Sequence, residues 1–119
     1  MAIRNKLLWL IVFGVIANSA WAEDAIDDVQ NGRRVAFLIC YACHVVGPDQ
    51  RSAPTLVPPA PSFDSIAQRP DISAESIERF LTTTHRDASN LRAMPSPELI
   101  DSYMKQVVAY ILSLRRPQQ

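Results

Sequence analysis

The 119-residue chain is short of several things that whole classes of function require. Its 12 lysines and arginines are matched by 12 aspartates and glutamates, so no excess of positive charge points to nucleic acid. No apolar run reaches the roughly 20 residues of a membrane span. The candidate, Leu7 to Ala17, is 11 residues long and runs into Asn18 and Ser19. Internal repeats and low-complexity tracts are missing, as is any pair of strand-like runs joined by a hairpin turn, and this leaves an all-α class. Cysteine and histidine are scarce, with two of each.

The first residues have the three-part pattern of a secretory signal peptide: Arg4 and Lys6, then Leu7 to Ala17, then Ala20-Trp21-Ala22. Cleavage after Ala22 is expected, leaving one domain, 23–119, with retention as an N-terminal anchor the alternative. Glu23 follows the cut where a lipoprotein would need cysteine. Both tryptophans leave with the signal, and the basic count falls to 10 against 12 acidic residues, a net charge of −2. A domain this small buries a modest fraction of its surface and often needs a staple.

Within 23–119 the spacing predicts a first helix from Asp28 to about Tyr41, capped by Asp27 or Asp28. The proline-rich run 47–62 cannot be regular helix or central strand and reads as an extended wrapping loop. A short helix follows over 62–68, capped by Ser62 and ended by Pro70. A third, over 73–85, has Ser73 as its cap, Glu75 in its first turn and a stripe of Ile77, Phe80 and Leu81. The last is expected to start at Ser96-Pro97 and to stop at Pro117, with Leu99, Tyr103, Val107, Tyr110, Ile111 and Leu114 on one face.

Both cysteines and one histidine fall in one five-residue run, Cys40-Tyr41-Ala42-Cys43-His44. Three chemistries use such a run: a thiol–disulfide pair, part of a metal site, or attachment of a c-type haem. The redox pair belongs beside a βαβ pattern that this chain lacks. Structural zinc needs four ligands, and His85 is the one remaining Cys or His. For haem, two cysteines one helical turn apart can form thioethers on one porphyrin edge, with the next histidine under the iron. An export signal suits that chemistry.

The order of "CYACH", "APSFDSIA", "MP" and "VVAYILSL" along the chain resembles the small class I c-type cytochromes of bacteria, over essentially all of 23–119. The resemblance implies one covalent haem c, held by Cys40 and Cys43, with His44 and Met94 as the axial iron ligands. His85 is the rival sixth ligand, and Met104 is read as a core gap-filler. The resemblance also implies close crossing of the first and last helices through Gly32 and Tyr110, and a proline carbonyl bonded to the iron-binding histidine, for which Pro54 and Pro61 are the candidates. Ala36 departs from the family, many of whose members have an aromatic there, while Phe37 lies one place along. Relatives often hold the haem propionates with tryptophan. Here Arg51, Arg69, Arg86, Arg92, Tyr41 or Tyr103 must substitute.

A His/Met pair fills both axial positions and raises the iron potential relative to bis-histidine ligation. The expected function is therefore a periplasmic, monomeric one-electron carrier, not an enzyme. Its partners would be redox proteins (a dehydrogenase donor, an oxidase or reductase acceptor), with no nucleic acid and no stable membrane insertion. Two alternatives stand beside it: a dedicated cytochrome subunit of a periplasmic dehydrogenase, and a haem-based sensor or weak peroxidase with a labile sixth ligand. Residues 23–119 contain a single lysine, Lys105, so steering by a lysine ring is not available and docking must use a small, mostly apolar patch. Electron transfer to a partner should accordingly weaken little between low and moderate salt in stopped-flow measurements. A steep fall in rate would contradict this reading.

Overall fold

The computed structural model describes residues 23–83 and 94–117. Four helices account for the regular structure among them, with no strand: α1 (23–39), α2 (Phe63–Ala67), α3 (Ala74–Thr83) and α4 (Asp101–Ser113). The chain is already helical at residue 23, so Asp27 and Asp28 are exposed residues inside α1 and not its cap. Regular helix stops at residue 39, and the cysteine run continues in tight turns, with the Cys43 and His44 amides both donating to the Cys40 carbonyl at 3.2 and 3.0 Å.

The two middle helices begin where their serines predict. Ser62 accepts from the Ser65 amide at 3.1 Å to cap α2. At the start of α3, the Ser76 amide donates to Ser73 Oγ at 3.1 Å and the Ser73 amide donates to Ser76 Oγ at 2.8 Å. This reciprocal pair satisfies two amides that the helix leaves unbonded. Ile77 and Leu81 turn into the core, whereas Phe80 stays 47% exposed on the same stripe. The predicted last residues of this helix, 84 and 85, lie outside the described residues, as does the signal segment.

The fourth helix starts later than Ser96-Pro97 suggests. Glu98 has φ 47°, in the left-handed region, and Ile100 is extended at φ −68°, ψ 156°, so right-handed helix begins only at Asp101. Its buried stripe is Met104, Val107, Val108 and Ile111, a regular i, i+3, i+4, i+7 set, with Tyr110 beside it. Tyr103, expected on the buried face, is exposed. The alternative stripe through Met104 is just as regular and becomes the core, against which Leu99 and Leu114 pack only partly buried.

Helix α4 is the common partner, packing on α2 and α3 and crossing α1. At the crossing, a Cβ on Gly32 would overlap the backbone carbonyl of Gln106 and meet Tyr110 Cβ at 3.0 Å. The backbones therefore approach as closely as only glycine permits, and the expected Gly32–Tyr110 crossing is present. Beyond Ser113 the chain is tied back to α2. Arg115 donates to the carbonyls of Ala67, Arg69 and Ile72 at 3.1, 3.2 and 2.8 Å, and Gln68 donates to the Leu114 carbonyl at 2.9 Å.

Gly32→Ala should destabilise the fold by about 3 kcal/mol or more through overpacking, although alanine is intrinsically better in a helix by up to ~1 kcal/mol. Chemical denaturation of the two proteins measures this. A neutral or stabilising result would contradict the close crossing.

Candidate functional site

The motif turn at the end of α1 is held by the loop that follows it. The amides of Thr55, Ala60 and Phe63 donate to the carbonyls of Ala42, Cys43 and Val45 at 2.8, 2.9 and 2.9 Å, and Thr55 Oγ1 adds a 3.0 Å bond to the Ala42 carbonyl. The prolines between these residues lack amide donors, so the loop wraps the motif as an extended strap, with the amides of Thr55, Leu56 and Ala60 turned to motif carbonyls. Gln50 adds an internal tie, accepting from the Val46 amide at 2.8 Å and donating to the Ser52 carbonyl at 2.9 Å.

The strap delivers one contact of special consequence. His44 Nδ1 lies 2.7 Å from the Pro61 carbonyl oxygen. A carbonyl can only accept, so Nδ1 carries the proton and, in the neutral ring, Nε2 has the lone pair. His44 is buried, and its Nε2 has no hydrogen-bond partner among the described residues. A buried polar atom without a partner is costly, and a nitrogen so oriented is what metal ligation requires. Phe63 packs against the ring at 5.5 Å between centroids, and Tyr110 against Phe63 at 6.3 Å. The Tyr110 hydroxyl donates to the Val46 carbonyl at 2.7 Å, which ties α4 to the residue two after His44.

Cys40 and His44 open onto a cavity of about 540 Å³. All four helices or their flanks contribute walls: Phe63 and Ile66 from α2, Ile77, Phe80 and Leu81 from α3, Val107 and Ile111 from α4, and Leu56 to Pro61 from the strap. Phe80 owes its exposure to facing this cavity. Met94, Pro97 and Leu99 line it too, because the extended segment ahead of α4 turns them inward. Met94 thus shares one cavity with His44, while Met104 is buried in the core and is not among the residues lining it. Pro54 is half-buried away from these walls, so of the two candidate prolines it is Pro61 that meets His44.

Among the described lining residues other than Cys40 and His44, the polar side chains are Arg69, Asp71 and Ser76, which stand together: Ser76 Oγ donates to the Asp71 carbonyl at 3.4 Å. Of the propionate candidates, Arg69 lines the cavity, Arg51, Tyr41 and Tyr103 are not among its lining residues, and Arg86, Arg92 and the rival ligand His85 lie outside the described residues. Burial, reinforced by the neighbouring Cys43, pushes the Cys40 thiol up to about 11. Such a thiol is a poor nucleophile for disulfide exchange. Among the described residues, no cluster of three or more His, Cys, Asp or Glu side chains is arranged to hold a metal ion, so a multi-ligand zinc site has no support there.

These geometric features agree with the comparisons. The family described as cytochrome c matches residues 29–115. The chain belongs to the cytochrome c family. A cytochrome c-552 of Bradyrhizobium diazoefficiens is 37% identical over 105 residues, which cover 88% of this chain and 90% of that protein. Comparison with solved structures returns no significant match. Membership of the cytochrome c family makes the protein an electron carrier with one covalent haem c, and the Cys40-x-x-Cys43-His44 run fits its attachment motif. The proximity of His44 and Met94 in one cavity fits His/Met ligation.

What sequence reasoning missed is the wall. Ile66, Ile72, Leu99 and Ile111 look like ordinary core residues at helical spacing, and nothing local distinguishes a residue that faces a cofactor from one that faces another helix. The usable signal was Phe80, a large apolar residue on a stripe whose neighbours already fill the α3–α4 core.

The strap region also has an acid-sensitive pair. Arg33, whose guanidinium lies 4.8 Å over the Phe37 ring, bonds Asp49 and holds its carboxyl below the ordinary carboxylate value of 3.8. A depressed folded-state value contributes stability that is present above about pH 4 and lost as pH falls through the folded-state value. Both groups are exposed, so the effect is small. Denaturation midpoints of Asp49→Asn and wild type should therefore differ more at pH 6 than at pH 3. An equal difference at both would contradict the pairing.

Proposed function

We propose that this cytochrome c works as an exported, soluble, monomeric electron carrier of the periplasm, with residues 1–22 removed as a signal peptide. Among the described residues no helix is long and apolar enough to cross a membrane. In this reading Cys40 and Cys43 hold the haem through thioethers, and His44 and Met94 bind its iron. The observation that carries it is the combination at His44: Nδ1 pinned to the Pro61 carbonyl, Nε2 buried without a partner among the described residues, and Met94 on the wall of the same cavity.

The cavity passes the test of fit. Its walls are mostly apolar, its ring nitrogen is orphaned, and both thiols stand within one turn of that ring, Cys40 itself on the wall. When bound, haem would supply a one-electron iron couple, and a soft thioether ligand from Met94 would favour its reduced state. The remaining work falls to the chain. Pro61 fixes the His44 ring and makes it a better donor through the shared proton. Phe63, Ile77, Leu81 and Ile111 exclude water from the cavity interior. The crossing at Gly32 and the Tyr110–Val46 bond tie α4 to α1 and to the residues just after the motif.

Donor and acceptor would be redox proteins meeting an apolar lip that includes Val57, which is 87% exposed at the cavity mouth. Service as the cytochrome subunit of a dehydrogenase uses the same site with one fixed partner. A labile sixth position, as in a sensor or peroxidase, is disfavoured by Met94 on the cavity wall.

Oxidised wild-type protein should show the weak long-wavelength iron–sulfur band, and Met94→Ala should lose it and bind carbon monoxide readily when reduced. Met104→Leu should keep it. High-spin iron in the wild type would contradict His/Met ligation.

A further inference from the structure

Val46, two residues past His44, is fully buried, and side chains meet both of its backbone groups. The Tyr110 hydroxyl donates to its carbonyl at 2.7 Å, and its amide donates to Gln50 Oε1 at 2.8 Å. The other end of the same carboxamide faces oxygen. Gln50 Nε2 donates to the Ser52 carbonyl at 2.9 Å and reaches the Tyr41 carbonyl at 3.4 Å. One neutral group thus joins residue 41, at the start of the motif turn, to residue 46 beyond its end. Glutamine suits this place, since it offers an acceptor and donors from one planar head without charge. Reversing the head would set its donors against the Val46 amide and its oxygen against two carbonyls. The Gln50 amide itself donates to the Gly47 carbonyl at 3.2 Å, so the backbone that carries the head is also fixed.

Neither Gln50 nor the three residues its side chain bonds line the cavity. Its effect on the site runs through the backbone between residues 41 and 46, which bears Cys43 and His44. The Pro61 carbonyl holds Nδ1 and so fixes how the His44 ring is turned. Where the ring hangs is a separate matter. Regular helix has ended at residue 39, so the place of the backbone that bears the ring depends on ties around the turn. We infer that Gln50 is the residue that positions this turn, and with it His44 Nε2, by bridging the two ends of the turn. The inference deepens the proposed function and rests on it, since Nε2 is the atom proposed to bind iron.

The proton on His44 Nδ1 reports on the ring directly, through its exchange with heavy water. Reduced holoproteins of wild type, Gln50→Ala, Gln50→Glu and Gln68→Ala are compared by proton NMR, with visible spectra recorded alongside. Gln68 makes a similar two-ended tie, to the Leu114 carbonyl and the Arg116 amide, away from the motif, and so controls for lost stability. Gln50→Ala should speed exchange of the Nδ1 proton by about tenfold, and Gln68→Ala should leave it within about twofold of wild type. Gln50→Glu should behave like Gln50→Ala at about pH 7, where a carboxylate would face two carbonyl oxygens. At about pH 4.5 it should return towards the wild-type rate at that pH, because a protonated carboxyl again offers a donor and an acceptor. If Gln50→Ala fails to accumulate, the acid recovery of Gln50→Glu decides alone. Wild-type exchange in both Gln50 variants, equal acceleration in Gln68→Ala, or no recovery of Gln50→Glu in acid would overturn the inference, while intact ligation spectra leave the proposed function standing. A wild-type protein without covalent haem would overturn the proposed function itself.

Discussion

Everything about this site depends on the 2.7 Å hydrogen bond from His44 Nδ1 to the Pro61 carbonyl. It sets the proton on one ring nitrogen and leaves the other, buried, with a lone pair and no partner among the described residues. It spans 17 residues, so it also decides the path of the chain between motif and α2. A loop rich in proline has few amides to offer, and this one commits those of Thr55, Leu56 and Ala60 to motif carbonyls. The local order of the motif thus comes from a segment with no regular structure of its own. The bond at Pro61 is where that order reaches the imidazole of His44.

The helices hold this arrangement from the other side. Gly32 lets α1 and α4 touch backbone to backbone, which brings Tyr110 over Phe63 and its hydroxyl to the Val46 carbonyl. Phe63 in turn packs on His44. One chain of contacts therefore runs from the helix crossing through Tyr110 and Phe63 to the imidazole, joining residues far apart in sequence. A glycine whose role is packing in α1 has a functional consequence at the ring. The tail after α4 completes the enclosure, since Arg115 binds the carbonyls of Ala67, Arg69 and Ile72 and fixes the part of the cavity wall where Arg69 and Asp71 stand.

Much of this was legible in the residues alone, and the pattern of what was not is instructive. Serine caps at Ser62 and Ser73 act over three residues, so sequence reports them faithfully. The motif is readable from its rare residues at tight spacing, whereas the crossing of Gly32 with Tyr110 and the place of a methionine ahead of the last helix are legible through the resemblance to the family. The start of α4 was misread because Ser96-Pro97 is a good local beginning that loses to a tertiary demand, the inward turn of Met94, Pro97 and Leu99. The buried stripe of α4 was misassigned for a similar reason, as two regular stripes compete and only packing on α2 and α3 chooses Met104 over Tyr103. Which proline meets His44 and which arginine reaches the cavity are questions of three-dimensional path, and spacing contains no answer to them.

The central claim is the proposal that His44 and Met94 would both bind the iron of one haem, with Met104 uninvolved. Proton NMR of the reduced protein labelled in the methionine methyl groups tests it most directly, because a methyl held over a porphyrin is displaced far upfield by the ring current. The account predicts one such methyl, assigned by its loss in Met94→Leu, and an ordinary position for that of Met104. An upfield Met104, or both methyls at ordinary positions, would contradict it.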